Sequence, residues 1–186
     1  PPSGCRIRGA DVTDRQRRDE QLRRSLTVMK LSKLVPPGAI VSRLTGTDRD
    51  SVVRELVDAL IRSGAADASL RDELINRVLE RERRGSTGFG KGIAVPHVKH
   101  KSVKGLAAAV GLSATGIDFS SLDKQPVFSV FLLLSPEDRP EEHLQAMELI
   151  FKNLSKETFR RFLRQAVSPE EVRNLLEEAD GQHAAG

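Results

Sequence analysis

Residues 81–100 read RERRGSTGFGKGIAVPHVKH. Gly85, Gly88, Gly90 and Gly92 leave the backbone free for positive φ, and loops of this kind turn amide N–H groups into a shared concavity that suits an anion. Ser86 and Thr87 add hydroxyl donors, so the segment reads as a phosphate-type loop. Pro96 then fixes its own φ near −65° and holds Val95 extended, which places His97 on a stiff backbone. Gly85, Gly90 and Lys91 satisfy G-x-x-x-x-G-K, the pattern of a nucleotide P-loop. That motif needs Ser or Thr at the next position to hold magnesium, and it lies between a strand and a helix. Here Gly92 is next, a helix precedes the loop and an extended segment follows. ATP or GTP binding is therefore not expected.

Working outward, Thr47 and Asp48 open a helix whose apolar face is Val53, Leu56, Val57 and Leu60, closed by Gly64. A second helix begins near Ser69, carries Leu70, Leu74, Ile75, Val78 and Leu79 on one side, and runs through a charged end to Gly85. Pro36, Pro37 and Gly38 turn the chain into a short extended stretch at 39–41. After the glycine loop come strands at 93–95, 106–112 and 127–134. The last is apolar enough for burial on both faces and is expected at the centre of the sheet. Helices follow from Pro140, with Leu144, Met147, Ile150, Phe151 and Leu154; then one with Phe159, Phe162 and Leu163; then one opened by Ser168 as N-cap and Pro169 at the first position. Helices before and after a sheet predict an α/β sandwich.

The 186 residues suit one domain with a tail, and 38% hydrophobic residues suffice for a core. The longest apolar run is far shorter than the roughly 20 residues of a membrane helix, so no membrane insertion is expected. No leader pattern is apparent, and the single Cys5 cannot form an internal disulfide, which points to a cytoplasmic protein. The net charge of +4 is spread among 26 acidic residues, without Trp or Tyr for base stacking, which argues against nucleic acid as a partner. Residues 1–28 form a charged N-terminal segment with a capping box at Thr13 and Gln16, and 181–186 are expected to be a disordered tail.

His97 carries the chemistry. Histidine, with an ordinary pKa of about 6.5, offers a lone pair near neutral pH and can attack phosphorus. The loose transition state of phosphoryl transfer asks the protein mainly for positioning and for positive charge around the oxygens, which Arg81 can supply. No cofactor is implied. His97 and His143 lack a thiolate or carboxylate beside them, a poor case for a metal. His100 and His183 read as solvent-exposed.

The run 85–90 through Ala94, Val95, Pro96 and His97, with Gly116-Ile117-Asp118-Phe119 and then Ser135-Pro136 before His143-Leu144, resembles the mannitol/fructose-type enzyme IIA domain of the phosphoenolpyruvate-dependent sugar phosphotransferase system. That family includes the free-standing nitrogen-regulatory form. The resemblance covers residues 29–180 and implies a mixed β-sheet sandwiched between α-helices. It implies that His97 is phosphorylated by phospho-HPr, that His143 hydrogen-bonds the phosphoryl group, and that Arg81, sixteen residues before His97, stabilises its charge. It also implies a phosphotransferase carrier in a regulatory role of the nitrogen-regulatory kind, with a transporter or kinase as target; the alternatives are a fructose- or mannitol-specific enzyme IIA that passes the group to an enzyme IIB, or a regulatory binding module that acts independently of phosphorylation. The loop glycines Gly85, Gly88 and Gly90, with Ser86 and Thr87, belong to the same pattern. The chain departs from it at Lys91, where a polar residue is usual and the lysine adds charge beside the loop, and at Val98, which narrows the approach to the ring. Residues 7–25 separately resemble the closing strand and exit helix of a PAS sensor domain.

Overall fold

The computed structural model describes residues 29–184, the side chains of 183 and 184 excepted. The capping box at Thr13, the PAS-like stretch and the His183 side chain lie outside the described residues. In chain order the elements are α1 (Leu31–Leu34), β1 (Ile40–Val41), α2 (Arg49–Arg62), α3 (Arg71–Arg83, entered through a 3-10 turn at Ala68–Leu70), β2 (Gly88–Gly90), β3 (Ile93–Ala94), β4 (His97–His100), β5 (Ala107–Ile117), β6 (Val127–Pro136), α4 (Pro140–Leu154), α5 (Glu157–Gln165) and α6 (Pro169–Ala184).

The helix boundaries follow from local chemistry. Asp48 caps α2 by accepting from the Ser51 amide at 2.9 Å, and Gly64, at φ +78°, turns the chain away beyond its end. Ser168 accepts from the Glu171 amide at the start of α6. That helix continues to Ala184, past the point where a disordered tail was expected from residue 181. One glycine, Gly181, costs only about 1 kcal/mol in a helix, too little to stop it. Asp180 on this last stretch accepts from the amides of Leu31 and Ser32 at 2.6 and 3.0 Å, while Arg173 donates to the carbonyls of Ser32 and Val35 at 3.0 and 2.8 Å. The final helix thereby holds α1 by both of its ends.

The sheet is mixed, in the order β1-β5-β6-β3-β2, with β4 also on β6. β6 is its centre, antiparallel to β5 along one edge and parallel to β3 and β4 along the other. β3 and β4 are two segments of one path, separated at Val95 and Pro96. Pro96 has no N–H to donate, but its carbonyl still accepts from the Leu133 amide at 2.9 Å. Alternation on β6 splits the core in two. Val130, Leu132 and Leu134 join α2 and α3 on one face, while Phe131 and Leu133 join α1, α4, α5 and α6 on the other. This is the sandwich expected, with two layers of helix around one sheet.

Two strands were not anticipated. β2 pairs antiparallel with β3, so the glycine-rich segment is in part a hairpin rather than an open loop. β4 was not among the expected strands, but His97, Val98, Lys99 and His100 alternate half-exposed, buried, exposed and buried, which is a strand period. His100, expected at the surface, is fully buried. Its Nδ1 accepts from the Ser102 amide at 3.1 Å, and its Nε2 lies 2.8 Å from a Glu73 carboxylate oxygen on α3.

The close approach of helices to the sheet rests on small residues. Ala107, Ala108 and Ala109 of β5 sit opposite Leu134, Leu133 and Leu132 of β6, all nearly inaccessible, so each large side chain has a small neighbour. Ala109→Leu adds volume to a filled layer and should cost about 1–3 kcal/mol. Thermal unfolding followed by circular dichroism should show a Tm lower by about 2–4 °C per kcal/mol for a chain of this length.

Candidate active site

His97 opens β4 immediately after Pro96, and the pairing of β4 with β6 sets it opposite Leu133. Its Nδ1 is 3.0 Å from the Val95 carbonyl oxygen. A carbonyl can only accept, so Nδ1 carries the proton and Nε2 keeps a free lone pair. The stiffness that the X-Pro-His sequence promises therefore has a second component, since the backbone also selects the tautomer.

His143 lies in the first turn of α4, with Pro140 opening that helix. It is 5% exposed, and its ring centre is 5.6 Å from that of His97, the planes inclined by 53°. Its Nδ1 is 2.8 Å from Ser135 Oγ on β6. Burial first, then the charge of Lys99 and the proximity of His97, lower its pKa to about 4. The ring is neutral at pH 7. When the Ser135 hydroxyl donates to Nδ1, the single ring proton sits on Nε2 as a donor. Ser135 appeared in the sequence reading only as part of a motif, and it proves to be the residue that orients the second imidazole.

Both histidines border a cavity of about 400 Å³ together with Arg77, Arg81, Arg84 and Lys99. Glu80 is the one carboxylate of that lining. Arg84 is 2.7 Å from Glu80, and Arg77 is 3.2 Å from Glu73. Among the described residues Arg81 meets no carboxylate; its Nη1 donates to the Gly85 carbonyl at 2.9 Å. Arg81 and Lys99 are therefore the cations left for an incoming anion. Arg77, Arg84 and Lys99 escaped the sequence reading although a signal was present. Arg77 and Arg81 are four apart on one helix, and Lys99 is two residues from His97 on one strand, spacings that share a face. A larger cleft of about 570 Å³ at 115–126 offers only Asp118 and Lys124 as charged groups and lacks histidine.

The glycine-rich segment stands elsewhere. The Thr87 amide donates to the buried Glu82 carboxylate at 3.0 Å, the Thr87 hydroxyl bonds the same group, and the Gly88 amide donates to Ser86 Oγ at 3.1 Å. Ser86 Oγ in turn donates to the Phe119 carbonyl. With these donors engaged, residues 85–90 do not form the anion nest expected beside His97, and none of Gly85, Ser86, Thr87, Gly88 or Gly90 borders its cavity. Gly85 contributes through the carbonyl that holds Arg81. Lys91 is also away from the cavity, and Val98 is buried in the core while touching its edge. Among the described residues no group of three or more His, Cys, Asp or Glu side chains gathers as a metal would require. No described helix is long and apolar enough to cross a membrane.

Two neighbouring imidazoles beside Arg81 and Lys99, which meet no carboxylate among the described residues, give the α/β sandwich a paired-histidine cavity suited to an anion. Residues 33–179 match the family described as the phosphoenolpyruvate-dependent sugar phosphotransferase system, EIIA 2, and the chain belongs to that family of phosphoryl carriers. It is 32% identical over 152 residues to the fructose-specific EIIABC component of Bacillus subtilis, a match covering 82% of this chain and 24% of that longer protein. It is 30% identical over 150 residues to the nitrogen regulatory protein of Pseudomonas aeruginosa, covering 80% and 96%. The crystal structure of the nitrogen regulatory protein IIA-Ntr from Neisseria meningitidis superposes with a TM-score of 0.71 at 29% identity, covering 78% of this chain and 98% of that one.

The neutral state of His143 makes stability depend on pH. Its folded pKa, about 4, lies below the ordinary value, so between about 4 and 6.5 the unfolded chain binds the proton more readily. This contribution is complete above pH 6.5 and fades as the pH falls toward 4, by at most roughly 3 kcal/mol. Urea titrations from pH 7 to 5 should therefore show a shallower loss of stability in His143→Gln than in the parent chain, and identical slopes would contradict a buried neutral ring.

Proposed function

We propose that His97 accepts a phosphoryl group on Nε2 from the phosphohistidine of HPr and that the chain serves a regulatory role of the nitrogen-regulatory kind in the cytoplasm. The observation that carries this reading is the cavity itself: an Nε2 whose partner nitrogen is tied to Val95, a neutral imidazole 5.6 Å away, and Arg81, which meets no carboxylate among the described residues. In the transfer the Nε2 lone pair forms a bond to phosphorus. The donor's N–P bond breaks, and its electron pair returns to the donor imidazole. The Nδ1 proton stays on His97, where the Val95 carbonyl stabilises it as the ring gains positive character. Arg81, Lys99 and the Nε2–H of His143 face the equatorial oxygens, on which the loose transition state spreads its charge. Residues 29–180 constitute the carrier unit in this reading, with residues 1–28 a charged lead-in segment.

The regulatory assignment is supported by the match to a relative named a nitrogen regulatory protein along 96% of its length. The fructose-specific relative supports a second reading, in which the phosphoryl group passes to an enzyme IIB component. Presenting the phosphorylated chain to a fructose IIB protein separates the two. Rapid transfer favours the sugar branch, and retention of the group favours regulation.

Incubation with phosphoenolpyruvate, enzyme I and HPr should add one acid-labile phosphoryl group, seen by intact mass, that is absent in His97→Ala. Arg81→Ala should slow its formation by roughly 10² or more, by analogy with other residues that stabilise transferring phosphoryl groups. His143→Ala should leave a slower reaction and a shorter-lived adduct. An adduct that persists in His97→Ala would place the nucleophile elsewhere.

A further inference from the structure

Lys91 satisfied the lysine position of a nucleotide loop and yet stands apart from His97. It occupies the tip of the β2–β3 hairpin at φ +58°, and its amide donates to Asp123 Oδ2 at 3.2 Å. The residue borders another cavity, of about 250 Å³, whose other cations are Arg160, Arg161 and Arg164 of α5. Glu157 is the single carboxylate of that lining, and among the described residues it forms no ion pair with any of the four. Ser129 also borders the cavity and lies four residues before Leu133, the partner of His97, so the two sites are separated by about 13 Å along β6.

The cationic groups are placed rather than loosely splayed. Arg160 Nη1 donates to the carbonyls of Leu154 and Ser155 at 2.8 Å each, closing the end of α4. Arg164 stacks on Phe128, with the guanidinium carbon 3.6 Å from the ring centre. Stacking engages the face of a guanidinium and leaves its in-plane N–H donors free, the geometry that binds phosphate oxygens. Lys91 is held by a backbone conformation uncommon for a residue with a side chain. Four positive charges around one concavity repel one another, and a multivalent anion removes that cost.

We propose that this cavity binds a small phosphate compound bearing at least two negative charges. Its volume lies below the ~300–1,000 Å³ usual for organic ligands, which suits a pyrophosphate-sized group and leaves no enclosed room for a nucleoside. The proposal is independent of phosphoryl transfer at His97.

Isothermal titration of the full chain with inorganic pyrophosphate tests it. Binding should weaken as salt is raised toward 0.15 M and should be retained in Arg81→Ala. The double variant Lys91→Asn, Arg164→Gln should raise Kd about tenfold or more, the scale of losing charge-assisted hydrogen bonds. Asn is chosen because it tolerates the left-handed backbone at that position. Arg161→Gln, which alters an exposed side chain only, should weaken binding on its own and guards against a folding defect in the double variant. Absence of binding in the parent chain at millimolar pyrophosphate would overturn the proposal. So would binding lost in Arg81→Ala but retained in the double variant, since the anion would then occupy the His97 cavity. Co-sedimentation with vesicles containing phosphatidylglycerol, without pyrophosphate binding, would assign the patch to a membrane surface instead.

Discussion

Strand β6 is hydrogen-bonded along both edges and covered on both faces, and the positions of both imidazoles depend on it. One edge holds β5. The other holds β3 and β4, which bring in His97, while Ser135 near its end reaches His143 on α4. A strand so enclosed cannot slip by one residue without exchanging Val130, Leu132 and Leu134 for Phe131 and Leu133 between two differently shaped helical layers. The register of the sheet thus fixes the distance between the two imidazoles. The geometry of the histidine pair is stored in the same side chains that make the core.

Tautomer selection is the second layer of control. A backbone carbonyl assigns the proton of His97 to Nδ1, and a serine hydroxyl bonds Nδ1 of His143. The two rings are chemically identical as free side chains. Here the carbonyl leaves His97 Nε2 with its lone pair, and when the Ser135 hydroxyl donates, His143 Nε2 carries a proton toward the same cavity. Cation placement shows the same economy, since Glu73 and Glu80 engage Arg77 and Arg84 and leave Arg81 available.

Much of this arrangement was legible in the residues. The apolar faces of α2 and α3, the cap at Asp48 and the doubly buried β6 are local patterns, and the sequence carries local patterns directly. The rigid placement of His97 could be read from Pro96. Bringing His143 and Arg81 to it required the family pattern, because residues far apart in the chain meet only through sheet pairing. What could not be read depended on distant partners. β4 is a strand because β6 offers an edge, and its lysine and two histidines otherwise look like a solvent-facing turn. His100 is buried where the Ser102 amide donates to its Nδ1 and a Glu73 carboxylate oxygen comes within 2.8 Å of its Nε2. The glycine segment looked like an anion nest because its amides seemed free, and Glu82 takes up the Thr87 donors through a fold-back contact that no spacing rule foretells.

The clamp between the two ends of the described domain bears on how it can be joined to other units. Asp180 and Arg173 hold residues 31–35, so the point where the chain enters and the helix by which it leaves are neighbours. A tether between them would span a short gap, which makes the domain suited to circular permutation or to insertion into a surface loop of a host protein. In mechanical terms the carrier is a closed loop with its latch on the side of the sheet away from α2 and α3.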